Sequence, residues 1–221
     1  WMQYAPTIPD LSPAAGGKCA AALEAMRLLF WQRTAPGDNN VVFSHALVRD
    51  AIYGSISSDG RKRLHGAIAG VFLVMGIQSN VGEQVMAYHL KHAGRFKEAA
   101  GFYFRAGIKA TGRGAAFEAL AHLEGGLSCI QHLPKGPERD MRELELLAVR
   151  GPTQMVTRGP GNAEFGATQA RAMELVAILG CHEEMVPVIY NTALHAWAVA
   201  DLDRARDIAD AIDMIERKSP S

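Results

Sequence analysis

The residues best suited to chemistry in this chain are histidines, arginines and aromatics set at helical spacings. His89 and His92 stand three apart, which puts two imidazoles on one helix face where they could serve a metal if a cysteine or carboxylate pair approached. No such second pair is visible, and no metal site is expected. Arg61-Lys62-Arg63 is too short for nucleic acid and reads as a solvated face. His45 and Arg49 lie one turn apart, so that imidazole and guanidinium share a side. Tyr190, His195 and Trp197 sit close together near the C-terminal end, where they could line a groove that holds a peptide. Gly16-Gly17-Lys18-Cys19 has neither the glycine spacing nor the magnesium-binding hydroxyl of a P-loop, so no complete catalytic site is expected in this chain.

Charge narrows the class of partner. The 221 residues carry 23 Lys+Arg against 23 Asp+Glu, so no global field draws the protein to nucleic acid or to an anionic membrane. The three cysteines, Cys19, Cys129 and Cys181, are far apart and odd in number. They read as small buried thiols in a cytoplasmic setting. No stretch approaches the roughly 20 apolar residues of a membrane-spanning helix. Trp1 to Pro13 has neither a basic leader nor an apolar signal core, and reads as a cut end.

Periodicity predicts a mainly α chain that must position these groups. Pro6, Pro9, Pro13 and Gly16-Gly17 make residues 1–17 a linker. A short helix is expected from Cys19 to Trp31. The turn-rich Thr34 to Asn40 then separates Leu28–Trp31 from the β-prone Val41-Val42-Phe43, as in a small hairpin. Ser44 is the expected N-cap of a helix whose buried face carries Leu47, Val48, Ala51, Ile52 and Ile56, and Ser57 to Gly60 should end it. Leu64, Ala67, Ile68, Val71, Phe72 and Met75 form the cleanest amphipathic stripe. Beyond Gly82 the pattern is helix, turn, helix to the end, with helices over 85–92, 96–109, 115–132, around Met141–Ala148, 165–179, 183–199 and 203–217. Pro152 is expected to break or kink its helix, and several interior glycines to weaken theirs.

Three segments resemble tetratricopeptide repeats, whose stacked hairpins place small residues where backbones approach. They are Ala87, Gly94, Ala99, Tyr103 and Ala106; Phe117 to Leu123; and Ala193, Ala200, Ala205 and Ala209 around Asp201-Leu202-Asp203. A second resemblance covers Val42-Phe43-Ser44-His45-Ala46-Leu47-Val48-Arg49-Asp50-Ala51-Ile52-Tyr53 and Arg61 to Ala69. These are similar to the end of the ATPase module of bacterial AAA/STAND-type signalling proteins, adenylate/guanylate cyclase-like or LuxR-type. In that family a winged helix joins the ATPase to tetratricopeptide-like repeats. Ala87-Tyr88-His89-Leu90, Glu98-Ala99-Ala100, Arg105-Ala106-Gly107 and Pro137 to Asp140 extend the match.

This resemblance implies a linker over 1–17, a winged-helix-like end of an ATPase module over 18–80, and an α-solenoid of tetratricopeptide-like hairpins over 81–221. It implies that His45, with Arg49, contacts the phosphates of ATP or ADP held by an upstream ATPase module, this chain alone holding no cofactor. The paired metal-binding aspartates of a cyclase have no recognisable counterpart here. The chain is then a non-catalytic regulatory region whose partners are a protein or peptide, or the ATPase and cyclase domains of the same protein. An independent tetratricopeptide-type adaptor and a piece of a LuxR-type regulator are the alternatives. A DNA-binding winged helix is disfavoured by the neutral charge and the lack of a basic recognition helix.

Overall fold

The computed structural model describes residues 29–32, 40–43, 45–75, 82–180 and 186–208. The expected linker over 1–17, Cys19, Ser44, Cys181 and the last helix beyond residue 208 lie outside them. The described residues are mainly helical and divide into two compact units, Trp1–Arg95 and Phe96–Ser221. No helix among them is long and apolar enough to cross a membrane.

In the first unit β1 (Leu29–Gln32) and β2 (Asn40–Phe43) pair antiparallel, Leu29 opposite Phe43 and Gln32 opposite Asn40. The expected hairpin is present. Leu29, Phe30 and Trp31, expected to close a helix, are strand residues paired with β2 instead. Next come α1 (Ala46–Ser55), α2 (Ser58–Met75) and α3 (Glu83–His92), with α3 packed on α2. Ser58, Asp59 and Gly60 open α2 rather than ending α1: Ser57 accepts the Arg61 amide at its carbonyl and the Gly60 amide at Oγ, at 2.9 and 3.1 Å. These bonds satisfy amides that a helix start otherwise leaves unpaired.

The expected buried face of α1 is a correction. None of its residues is fully buried, and Leu47 is 81% exposed. Only Val48, Ile52 and Ile56 are half-buried, a narrow stripe at i, i+4 and i+8. An amphipathic pattern fixes which residues can share a face, while the neighbours present decide how much of it is covered.

The second unit contains α4 (Phe96–Gly112), α5 (Ala116–Ile130), α6 (Pro137–Arg158), α7 (Ala163–Leu179) and α8 (Val186–Ala198), with residues 202–208 again helical. From α5 to α8 each helix packs on the one before it, as short connections require. Small residues set the approach. A β-carbon on Gly107 would lie 2.9 Å from Leu123, and one on Gly126 2.8 Å from Leu146. These glycines, read from sequence as weak points, are where α4, α5 and α6 come close. The core joins Leu144 and Leu147 of α6, Ala172, Leu175 and Val176 of α7, and Val188 of α8.

Pro152 lies inside a helix that continues through it to Arg158, so the expected break is not found. Thr153 Oγ1 donates to the Val149 carbonyl at 2.8 Å, and Thr157 Oγ1 to the Thr153 carbonyl at 3.0 Å, keeping this stretch hydrogen-bonded. Asn162 caps α7, its side-chain oxygen accepting the Glu164 and Phe165 amides at 2.9 and 3.4 Å.

One closure recurs at three helix ends. The amides of Arg95, Ala115 and Asp201 bond to the carbonyls of Leu90, Ala110 and Ala196, five residues back, at 2.9, 2.9 and 2.8 Å. The residue before each takes the left-handed conformation: Gly94 with φ 79°, Gly114 with φ 74° and Ala200 with φ 62°. This is the hydrogen-bonded glycine stop of an α-helix, with alanine standing in at the third.

Candidate functional site

His45 is the N-cap of α1, in extended conformation and exposed; its carbonyl accepts the Val48 and Arg49 amides at 3.1 and 3.3 Å. It is therefore the capping position, one residue later than the Ser44 expected, although its side chain makes no cap bond. Arg49 follows one turn on, its guanidinium 2.8 Å from Asp50. The His45 imidazole is thus accessible, and the Arg49 charge is largely compensated by its sequence neighbour.

Beneath α1 lies a more organised cluster. Ile52, Tyr53 and Ile56 of α1, Leu64, His65 and Ile68 of α2, and His89 of α3 surround an almost wholly apolar cavity of about 280 Å³, with Arg49 at its edge. On its wall Tyr53 Oη is 2.9 Å from His65 Nε2, and His65 Nδ1 is 2.9 Å from His89 Nδ1. Each contact carries one proton. Either the phenol donates to His65 and His65 to His89, or the direction reverses with the tautomers exchanged. The His65 ring also stacks on His92, centroids 4.9 Å apart, and meets Tyr88 edge-on at 5.6 Å. The Arg61 guanidinium lies over the Tyr53 ring and donates to the Tyr53 carbonyl at 3.4 Å, while Lys62 and Arg63 are exposed.

The sequence placed His89 and His92 together on one face, and the structure does so, but as partners of His65. Stacked rings point their in-plane lone pairs in parallel rather than at one ion, and among the described residues no group of three metal-ligating side chains is placed to hold a metal. Burial, then the charges of His89 and His92, lower the His65 pKa to about 4. Burial also lowers His89, with His92 contributing, and His92, with Lys91 contributing. The three imidazoles are therefore uncharged near pH 7. His65 and Tyr53 were missed in the sequence. Their signal was a histidine in register with Ile68 and Phe72 on the α2 stripe, too polar to be there without a partner.

On α8 the structure separates residues the sequence grouped. Tyr190 and Trp197, two turns apart, are 60% and 65% exposed. His195 turns inward, with Nδ1 donating to the Pro160 carbonyl at 2.7 Å and its ring edge-on to Phe165 at 5.6 Å. The close approach is permitted by Gly166, whose added β-carbon would collide with the His195 ring. His195 is thus a packing residue between α8 and the start of α7, and the two aromatics form an outward stripe.

No family model matches this chain, and neither a curated protein nor a solved structure matches it.

Proposed function

We propose that this chain is a non-catalytic regulatory and protein-interaction region of a larger ATP-binding signalling protein, adenylate cyclase-like, that couples upstream nucleotide state to the binding of a protein partner. The observation that carries the reading is the Tyr190–Trp197 stripe. Two large aromatics left out of the core on one face of a well-packed helix are the side chains that most often anchor protein interfaces. The helical stack and its two matching helix ends, at Ala115 and Asp201, support tetratricopeptide-like hairpins over the C-terminal unit. The accessible His45 at the start of α1, after a two-stranded pairing, supports the winged-helix-like end of an ATPase module that presents His45 and Arg49 to bound ADP. The partner is a peptide or protein surface, including the ATPase and cyclase domains of the same protein, and the setting is cytoplasmic.

The experiment extends the chain upstream to include an ATPase module and titrates ADP by calorimetry, then mixes that module, produced separately, with this chain. His45→Ala is expected to weaken ADP at least tenfold, and Tyr190→Ala with Trp197→Ala to weaken association of the two pieces at least tenfold. Unchanged ADP affinity removes the nucleotide contact, and unchanged association removes the docking stripe.

A further inference from the structure

The cavity of about 280 Å³ beneath α1 is bordered by Ile52 and Ile56 of α1 and by Leu64 and Ile68 of α2, and almost no polar atom faces it. The polar atoms of its aromatic wall are engaged with one another: Tyr53 Oη with His65 Nε2, and His65 Nδ1 with His89 Nδ1, both at 2.9 Å. At the edge, the Arg49 guanidinium is held by Asp50 at 2.8 Å, and Arg61 donates to the Tyr53 carbonyl. Among the described residues of this unit no buried side-chain donor or acceptor lacks a partner. The cavity therefore offers nothing to a charged or strongly polar ligand.

Water is a poor occupant for the same reason, since a buried water needs several polar partners. An empty space is also unfavourable, because each facing side chain forfeits dispersion contacts. The cost is visible in α1. Its Val48, Ile52 and Ile56 form one apolar stripe, yet none of its residues is fully buried. An apolar guest would supply the contacts that this stripe lacks.

Volume sets the size of the guest. An apolar cavity of about 150 Å³ takes one benzene ring, and the space under α1 is nearly twice as large. It is half-enclosed, which leaves a way in. We propose that this cavity binds an uncharged, apolar small molecule of about two fused rings, held between Ile52, Ile56, Leu64 and Ile68 with the Tyr53–His65–His89 cluster as one wall. The site needs neither the His45 imidazole, the Arg49 charge nor the α8 stripe, so it stands or falls independently of the function proposed above.

Titration of the full chain with benzene, naphthalene, phenanthrene and 2-naphthoate tests it, followed by the imidazole C–H resonances, which His65→Gln and His89→Gln assign. Naphthalene should shift the His65 and His89 signals saturably and leave those of His122 and His195, in the other unit, unmoved. It should bind at least tenfold tighter than benzene, and 2-naphthoate should bind no tighter than naphthalene. Ile52→Phe, which puts a ring of the protein's own into the space, should weaken naphthalene at least tenfold. Leu47→Phe, on the exposed side of the same helix, should leave it unchanged. Ile52→Ala should move the preference towards phenanthrene, a gain that a misfolded variant does not give. Absence of a saturable shift at His65 and His89 with every probe, unchanged affinity in Ile52→Phe, an equal loss in Leu47→Phe, or tighter binding of 2-naphthoate than of naphthalene overturns the proposal.

Discussion

Three imidazoles and two phenols meet where α1, α2 and α3 come together, and the imidazoles lower one another's affinity for protons. His65, only 6% exposed, is brought from its ordinary 6.5 to about 4, and His89 and His92 are lowered with it. Such groups bind protons more readily in the unfolded chain, so their contribution is complete above the unfolded value and is lost as pH falls from about 6.5 towards 4. The thermal midpoint of the full chain should therefore drop across that window, and His65→Gln should flatten the drop. A wild-type midpoint constant over the window, or an unchanged slope in the variant, counts against the cluster. The sequence pointed to His89 and His92 because their relation is local. It gave no means of finding Tyr53 and His65, since a histidine's partner across a helix interface depends on how helices pack. Tyr190, Trp197 and His195 show the same limit: spacing grouped them, and only the packing of α8 on α7 turned one inward.

At the scale of elements, the helices were legible and their margins less so. The stripe from Leu64 to Phe72 and the runs in α4, α5, α7 and α8 lie within the helices expected, because a periodic apolar face is a property of the segment itself. Ser57 to Gly60 open a helix where the sequence suggested an end, and Pro152 does not end its helix, because capping bonds and side-chain bonds to the backbone override local breaker signals. The three matching helix ends offer a reciprocal test. Ala200 holds a left-handed conformation that glycine adopts freely at Gly94 and Gly114. A non-glycine residue there is strained by about 1 kcal/mol, offset in part by the greater unfolded freedom of glycine. Ala200→Gly should thus stabilise by up to about 1 kcal/mol and Gly114→Ala destabilise by a similar amount, read from urea unfolding. A loss in the first or a gain in the second would show that the closure is not what holds these helix ends.

At the scale of the whole molecule, the division after Arg95 has a measurable consequence. The core of Leu144, Leu147, Ala172, Leu175, Val176 and Val188 is drawn entirely from the second unit. A fragment comprising Phe96–Ser221 should therefore unfold cooperatively on its own, with a sigmoidal thermal transition by circular dichroism; a featureless melt would show that this core needs the first unit. What the sequence determined by itself was the mainly helical class, the approximate helix order and the absence of a long apolar span, all consequences of patterns within a few turns of chain. Only the tertiary structure decided that α1 lies largely uncovered and that His65 joins His89 and His92. Those outcomes depend on which distant side chains share a space, and hydrogen bonds, burial and charge pairing act across that space rather than along the chain.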